Sequence, residues 1–138
     1  MDFRMLKNIS FDFGSSIVGF EHLRHFRIDE VEEGSLFGMM VSEEEPEIGF
    51  IVVSPFEMYS DYEFRLSDEI IEGLQVQSPD EVTVLSIVTV NKPFPSSTIN
   101  LVAPVVINVS REVGRQFILN NSPYTIRAPL FPERNGGE

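Results

Sequence analysis

Apolar residues in this chain recur with a period near two more often than at helical spacing, the mark of strands that bury one face. Residues 59–66 are the cleanest case. Tyr62, Phe64 and Leu66 fall on one side, and Asp61, Glu63 and Arg65 on the other, which predicts a half-buried strand. In residues 98–109, Ile99, Leu101, Ala103, Val105, Ile107 and Val109 share a face. That run is one long strand or two strands broken near Pro104, because proline has no amide to give a central ladder. Residues 48–54 and 82–90 are apolar on both faces, as strands covered on both sides are. Further strands are expected around residues 3–6, 16–20, 26–29, 36–41, 116–119 and 124–127. One helix is expected: Ser67 as its cap, Asp68 and Glu69 in its first turn, Ile70, Ile71 and Leu74 as its apolar stripe, and an end near Gly73. Ser78, Pro79 and Asp80 then form a turn.

Many short strands and one short helix in 138 residues predict a mainly β fold. The expected architecture is a small antiparallel barrel, closed or nearly closed, since closure removes exposed edges; a two-sheet sandwich is the alternative. The length suits a single domain over residues 1–131, with a loose tail over residues 132–138.

Charge changes the picture most. Between Asp29 and Glu81 stand sixteen acidic residues and one basic residue, Arg65, while both flanks are close to neutral; the whole chain carries −12. Such a balance disfavours direct binding to nucleic acid, which needs Lys and Arg against phosphate, and suits a basic protein as partner. The chain has no Cys, so it holds no disulfide framework, thiolate metal site or thiol nucleophile. The opening residues lack the apolar core of a secretory leader, and no apolar run is long enough to span a bilayer. A cytoplasmic protein without a membrane segment is expected.

Candidate chemistry is sparse. His22 and His25, three apart, have no third ligand nearby in sequence. Glu43, Glu44, Glu45 and Glu47 read as a solvated hairpin loop, lacking the alternating Asp/Asn positions and central Gly of a Ca²⁺ loop. No phosphate loop, dinucleotide fingerprint or nucleophile elbow occurs. The chain is therefore expected to bind and not to catalyse, without a cofactor. Its strongest physical pointer is the interleaving of Phe56, Tyr59 and Tyr62 with Glu57, Asp61 and Glu63. Aromatics supply the buried centre of an interface, and carboxylates a rim that steers a basic partner. By alternation Tyr59 lies on the acidic face, whereas Phe64 is ordinary core. Pro93, Phe94 and Pro95 tip a loop.

Several blocks of the sequence resemble a known family. Residues 49–68, GFIVVSPFEMYSDYEFRLSD, are similar to the flagellar assembly factor FliW. So are VLSIVTV from Val84, then Thr98, Asn100, Leu101, Ala103 and Pro104, the apolar run to Val109, Arg115 and Gln116, Tyr124, and Arg127 to Leu130. Gly19, Phe20 and Glu21 match the family's N-terminal segment. The approach to Gly19 and the stretch Gly38, Met39, Met40 depart from its usual pattern.

The resemblance implies a small barrel-like protein without catalysis, monomeric when free, with two mutually exclusive protein partners. One is flagellin, bound through its C-terminal region before export. The other is CsrA, a small RNA-binding regulator that represses flagellin translation. Asn100 and Arg127 match the family motif and are candidate contacts, with Glu43, Glu44, Glu45, Glu47, Phe56, Glu57, Tyr59 and Asp61. A flagellin chaperone without the regulator, or an acidic adaptor for another basic protein, are the alternatives.

Overall fold

A computed structural model describes residues 3–120 and 122–132; of the expected tail, all but Pro132 lies outside the described residues. The strands are β1 (Phe11–Asp12), β2 (His25–Glu30), β3 (Phe37–Ser42), β4 (Gly49–Val53), β5 (Val82–Thr89), β6 (Thr98–Ile99), β7 (Val105–Asn108), β8 (Val113–Gln116) and β9 (Ala128–Pro129). Two short helices, α1 (Pro55–Met58) and α2 (Asp68–Gly73), join β4 to β5.

Pairing runs from β4 through β3, β2, β1, β8 and β7 to β5, and β5 also pairs with β4, so seven strands close a barrel. Every pairing is antiparallel except that of β1 with β8, where Asp12 lies opposite Val113. Beyond its contacts with β7, β5 pairs through its C-terminal end with β6, and β6 with β9, forming a flap on the barrel wall.

The barrel interior is filled by Phe11, Phe26, Ile28, Met40, Val52, Leu85, Val105 and Ile107, with Phe3, Leu6 and Phe13 added from outside the strands. Burying each such side chain stabilises the fold by about 1.5–3 kcal/mol. Two rings lie directly on strand backbone. A Cβ at Gly38 would stand 2.6 Å from the Phe3 ring, and one at Gly114 2.6 Å from that of Phe13, so only glycine admits these approaches. Outside the barrel, Val53, Tyr62, Val88, Ile99, Leu101, Ala128 and Leu130 pack under the flap. Ile70, Leu74, Val106 and Phe117 seat α2 on the wall.

The expected helix forms at α2. The Ser67 hydroxyl accepts from the Ile70 amide at 3.3 Å, and the chain turns out after Gly73. Residues 98–109 divide into β6 and β7 with the break around Pro104. Elsewhere the structure corrects the pattern. Residues 3–6 form a 3-10 turn, residues 16–20 are turns, and α1 follows β4 where no helix was expected. The pairings expected at 116–119 and 124–127 shift to β8 and β9. Residues 62–66 keep the alternating burial of a strand but pair with no other strand: burial of one face was legible, a ladder partner was not.

Candidate functional site

The acidic hairpin between β3 and β4 is fastened, not loosely solvated. Glu44 accepts from the backbone amides of Arg24 and His25, each at 3.2 Å, and meets His25 Nδ1 at 3.0 Å. Glu45 meets His22 Nε2 at 3.0 Å, and its own amide donates to the Ser42 hydroxyl at 2.9 Å. Glu43 accepts from the Ser10 hydroxyl. Both histidines of the chain are thus used on one loop. Beside them Arg24 pairs with Asp12 at 2.9 Å. Partial desolvation pushes the Glu44 carboxyl upward, but the His25 ring and the amides outweigh it and hold its pKa below the usual 4.5. Asp12 is likewise lowered from 3.8: desolvation opposes, while the Gly14 amide and Arg24 prevail. Glu47 is exposed and unengaged among the described residues.

The aromatic and acidic stretch divides differently from the sequence expectation. Phe56 is the exposed aromatic, at 43%, its ring edge-on to Tyr62 at 5.5 Å. Tyr59 is half-buried, and its hydroxyl donates to the Pro129 carbonyl at 2.6 Å, tying α1 to the outer edge of the flap; burial raises its pKa. Tyr62 is buried and donates to the Leu101 carbonyl at 2.9 Å, and burial together with neighbouring Tyr124 pushes its pKa up to about 12. Glu57 and Asp61 are exposed beside Phe56 and Tyr62. This stretch therefore presents one exposed ring, Phe56, framed by carboxylates, above tyrosines that serve the fold.

Asn100 and Arg127 do not join either group as one site. The Asn100 side chain accepts from the amides of Val102 and Ala103, both at 3.0 Å, and shapes the turn leaving β6. Arg127 is exposed next to β9. Gln116 also works internally, donating to the Ala103 carbonyl at 3.1 Å and accepting from the Val18 amide. Among the described residues, no group of three or more metal-binding side chains could hold an ion. No helix there is long and apolar enough to cross a membrane.

The sequence did not show the histidine–glutamate pairs, nor the contact of Tyr124, a residue of the family motif, whose hydroxyl receives the Glu63 amide at 2.7 Å. These contacts span 19 to 61 residues. His22 and His25 stand 23 and 19 residues from Glu45 and Glu44, so no local signal connects them.

A family model described as FliW protein matches residues 4–130. A flagellar assembly factor FliW from Clostridium tetani is 43% identical over 124 residues, covering 90% of this chain and 86% of its own. Another from Clostridioides difficile is 44% identical over 115 residues, covering 83% and 88%. A crystal structure of the flagellar assembly factor FliW superposes with a TM-score of 0.84 at 34% identity, covering 93% of this chain and 89% of that one.

Proposed function

The chain belongs to the FliW family of flagellar assembly factors, and on that premise we propose that it is a non-catalytic cytoplasmic binding protein with two alternative protein partners. It sequesters the RNA-binding regulator CsrA, which relieves repression of flagellin translation. When flagellin accumulates before export, flagellin occupies it instead and the regulator returns to the message. Flagellin synthesis is thereby coupled to flagellar assembly.

The observation that carries this reading is the fastened acidic hairpin. Glu43, Glu44 and Glu45 are held to partners between Ser10, just before β1, and His25, the first residue of β2: the Ser10 hydroxyl, two amides and two histidines; Glu47 projects from the same loop. A fixed cluster of carboxylates docked beside an RNA-binding protein opposes the approach of phosphate. It need not compete for the residues that grip the RNA. Charge at this surface acts over about 8–10 Å at physiological salt, so the effect requires close docking and weakens as salt rises.

Calorimetric titration with CsrA from the same organism, at low and at high salt, tests the partner. Tight binding that weakens with salt is expected. Glu47→Gln, combined with Glu43→Gln, then tests the mechanism by RNA displacement: the variant should bind the regulator and release less RNA. Unchanged RNA release sinks the electrostatic step. Absence of regulator binding at either salt leaves the flagellin-chaperone reading.

A further inference from the structure

β1 pairs with β8 at one position only, Asp12 against Val113, and beyond it side chains close the seam of the barrel. Amides along β8 and its continuation alternate in direction. Those of Phe117 and Leu119 meet the carbonyls of Pro104 and Val102, so those of Gln116 and Ile118 face the seam. There the Gln116 amide donates to the Ser16 hydroxyl at 3.3 Å, and Gln116 Oε1 accepts from the Val18 amide at 2.9 Å. Gln116 Nε2 donates onward to the Ala103 carbonyl at 3.1 Å. Among the described residues, no main-chain bond joins residues 14–20 to β8, and the Ile118 amide has no partner.

The segment lying over this edge is bracketed by two glycines in the left-handed region, Gly14 at φ +60° and Gly19 at φ +87°. A Cβ at either would meet nothing within 4 Å, so backbone conformation and not crowding calls for glycine. Outside the brackets the chain is anchored. The Phe13 ring lies on Gly114, and the Phe20 ring stands edge-on to Phe50 at 5.1 Å. Inside them Ser15 and Val18 are exposed, and only Ile17 is buried. A groove of about 410 Å³ runs beside the segment, lined by Gly14, Ser15, Ser16, Gly114 and Arg115, and leaves that side unpacked.

We propose that residues 14–19 are a hinged segment which Gln116 latches over the open edge of β8, and that it swings out as a unit while the rest of the barrel stays folded. Release breaks the bonds to Ser16 and Val18 and withdraws one buried side chain, Ile17, far less than unfolding the barrel requires. Phe13 and Phe20 stay seated because the two glycines absorb the backbone rotation. The movement bares the seam-side main chain of Gln116 and Ile118 together with the socket of Ile17. The resting protein thus keeps a strand edge covered by a part that can be lifted.

The chain has no Cys, so one introduced thiol reports the opening. Ile17→Cys should be alkylated by iodoacetamide about a hundredfold faster than Met40→Cys, whose site is enclosed in the barrel. Urea below the unfolding transition should leave the first rate nearly unchanged and speed the second, because the hinged movement exposes little surface. Gln116→Ala, added to Ile17→Cys, should raise its labelling by about fivefold, the weight of one hydrogen bond. Amide exchange in the unaltered protein gives a reading free of substitution. The amides of Val18 and Gln116 should share one protection and exchange about a hundredfold faster than that of Met40 in the β3–β4 ladder. Labelling of Ile17→Cys as slow as that of Met40→Cys overturns the hinge, as does urea that speeds both alike. Labelling unchanged by Gln116→Ala overturns the latch. If a cysteine variant fails to fold, exchange decides: Val18 and Gln116 amides as slow as that of Met40 overturn the proposal.

Discussion

The chain has two stretches dense in carboxylates, and they dispose of their charge in opposite ways. In the hairpin after β3, Glu43, Glu44 and Glu45 are each engaged by a hydroxyl, an amide or a histidine. Along residues 57–72, Asp61, Glu63 and Glu69 stand without a cationic partner among the described residues. The first stretch has its carboxylates held in place by other parts of the chain; those of the second have no cationic partner within it among the described residues. Density of acidic residues in a sequence does not distinguish the two, because the neutralising groups come from distant parts of the chain.

The contrast is sharpest if the open stretch is a firm part of the fold, and the largest effect tests that. Tyr62→Ala should cost about 3–5 kcal/mol by denaturant unfolding, as expected for a buried aromatic whose removal leaves a cavity. A loss under about 1 kcal/mol would make residues 62–66 a loose strap instead of a firm part of the fold. Asn108→Ala comes next. Its side chain donates to the Leu74 carbonyl at 2.9 Å and accepts from the Arg111 amide, so losing this buried link between β7 and the end of α2 should cost about 2 kcal/mol.

In the hairpin, Glu44→Ala should cost about 1 kcal/mol, the low end for a charge-assisted bond because the group is solvent-exposed. The amides of Arg24 and His25 should then exchange faster. The same loop should respond to acid. Folded Glu44 and Asp12 titrate below their ordinary values of 4.5 and 3.8, so their stabilisation is full above those values and is lost as pH falls through the lowered ones. Unfolding curves recorded downward from pH 5 should show this loss, and Glu44→Ala should flatten it. Smallest of all, Glu63→Gln should change stability by less than about 0.5 kcal/mol, since only its backbone is bonded. A larger loss would mean that the open stretch also spends its charge internally.

What could be read ahead of the structure follows the range of the forces involved. Helix α2 was legible because Ser67, Asp68, Glu69 and Ile70 act within one turn. The break between β6 and β7 was one of two readings the sequence left open, and Pro104, which carries its own geometry, is what raised it. Strands β2 to β5 declared themselves by apolar alternation or by runs apolar on both faces. Two-residue β1 is too short to carry a period. Alternation at residues 62–66 reported a buried face correctly, yet burial is set by side chains and pairing by a main chain elsewhere. At the hairpin the glutamates were identified and their state was not: their partners lie at Ser10, His22, Arg24 and His25, which nothing local connects to them.

The parallel joint between β1 and β8 has a consequence for synthesis. Asp12 needs Val113 opposite it, and the Asp12 amide needs the Glu112 carbonyl. A nascent chain can assemble the meander β2–β3–β4 while still growing, but its cylinder stays open until β8 has left the ribosome. Contacts of such sequence separation make closure a late, slow event. Until then β1 and β7 each offer a bare edge, so translation speed through the stretch from β7 to β8 governs how long the half-built protein is exposed to aggregation.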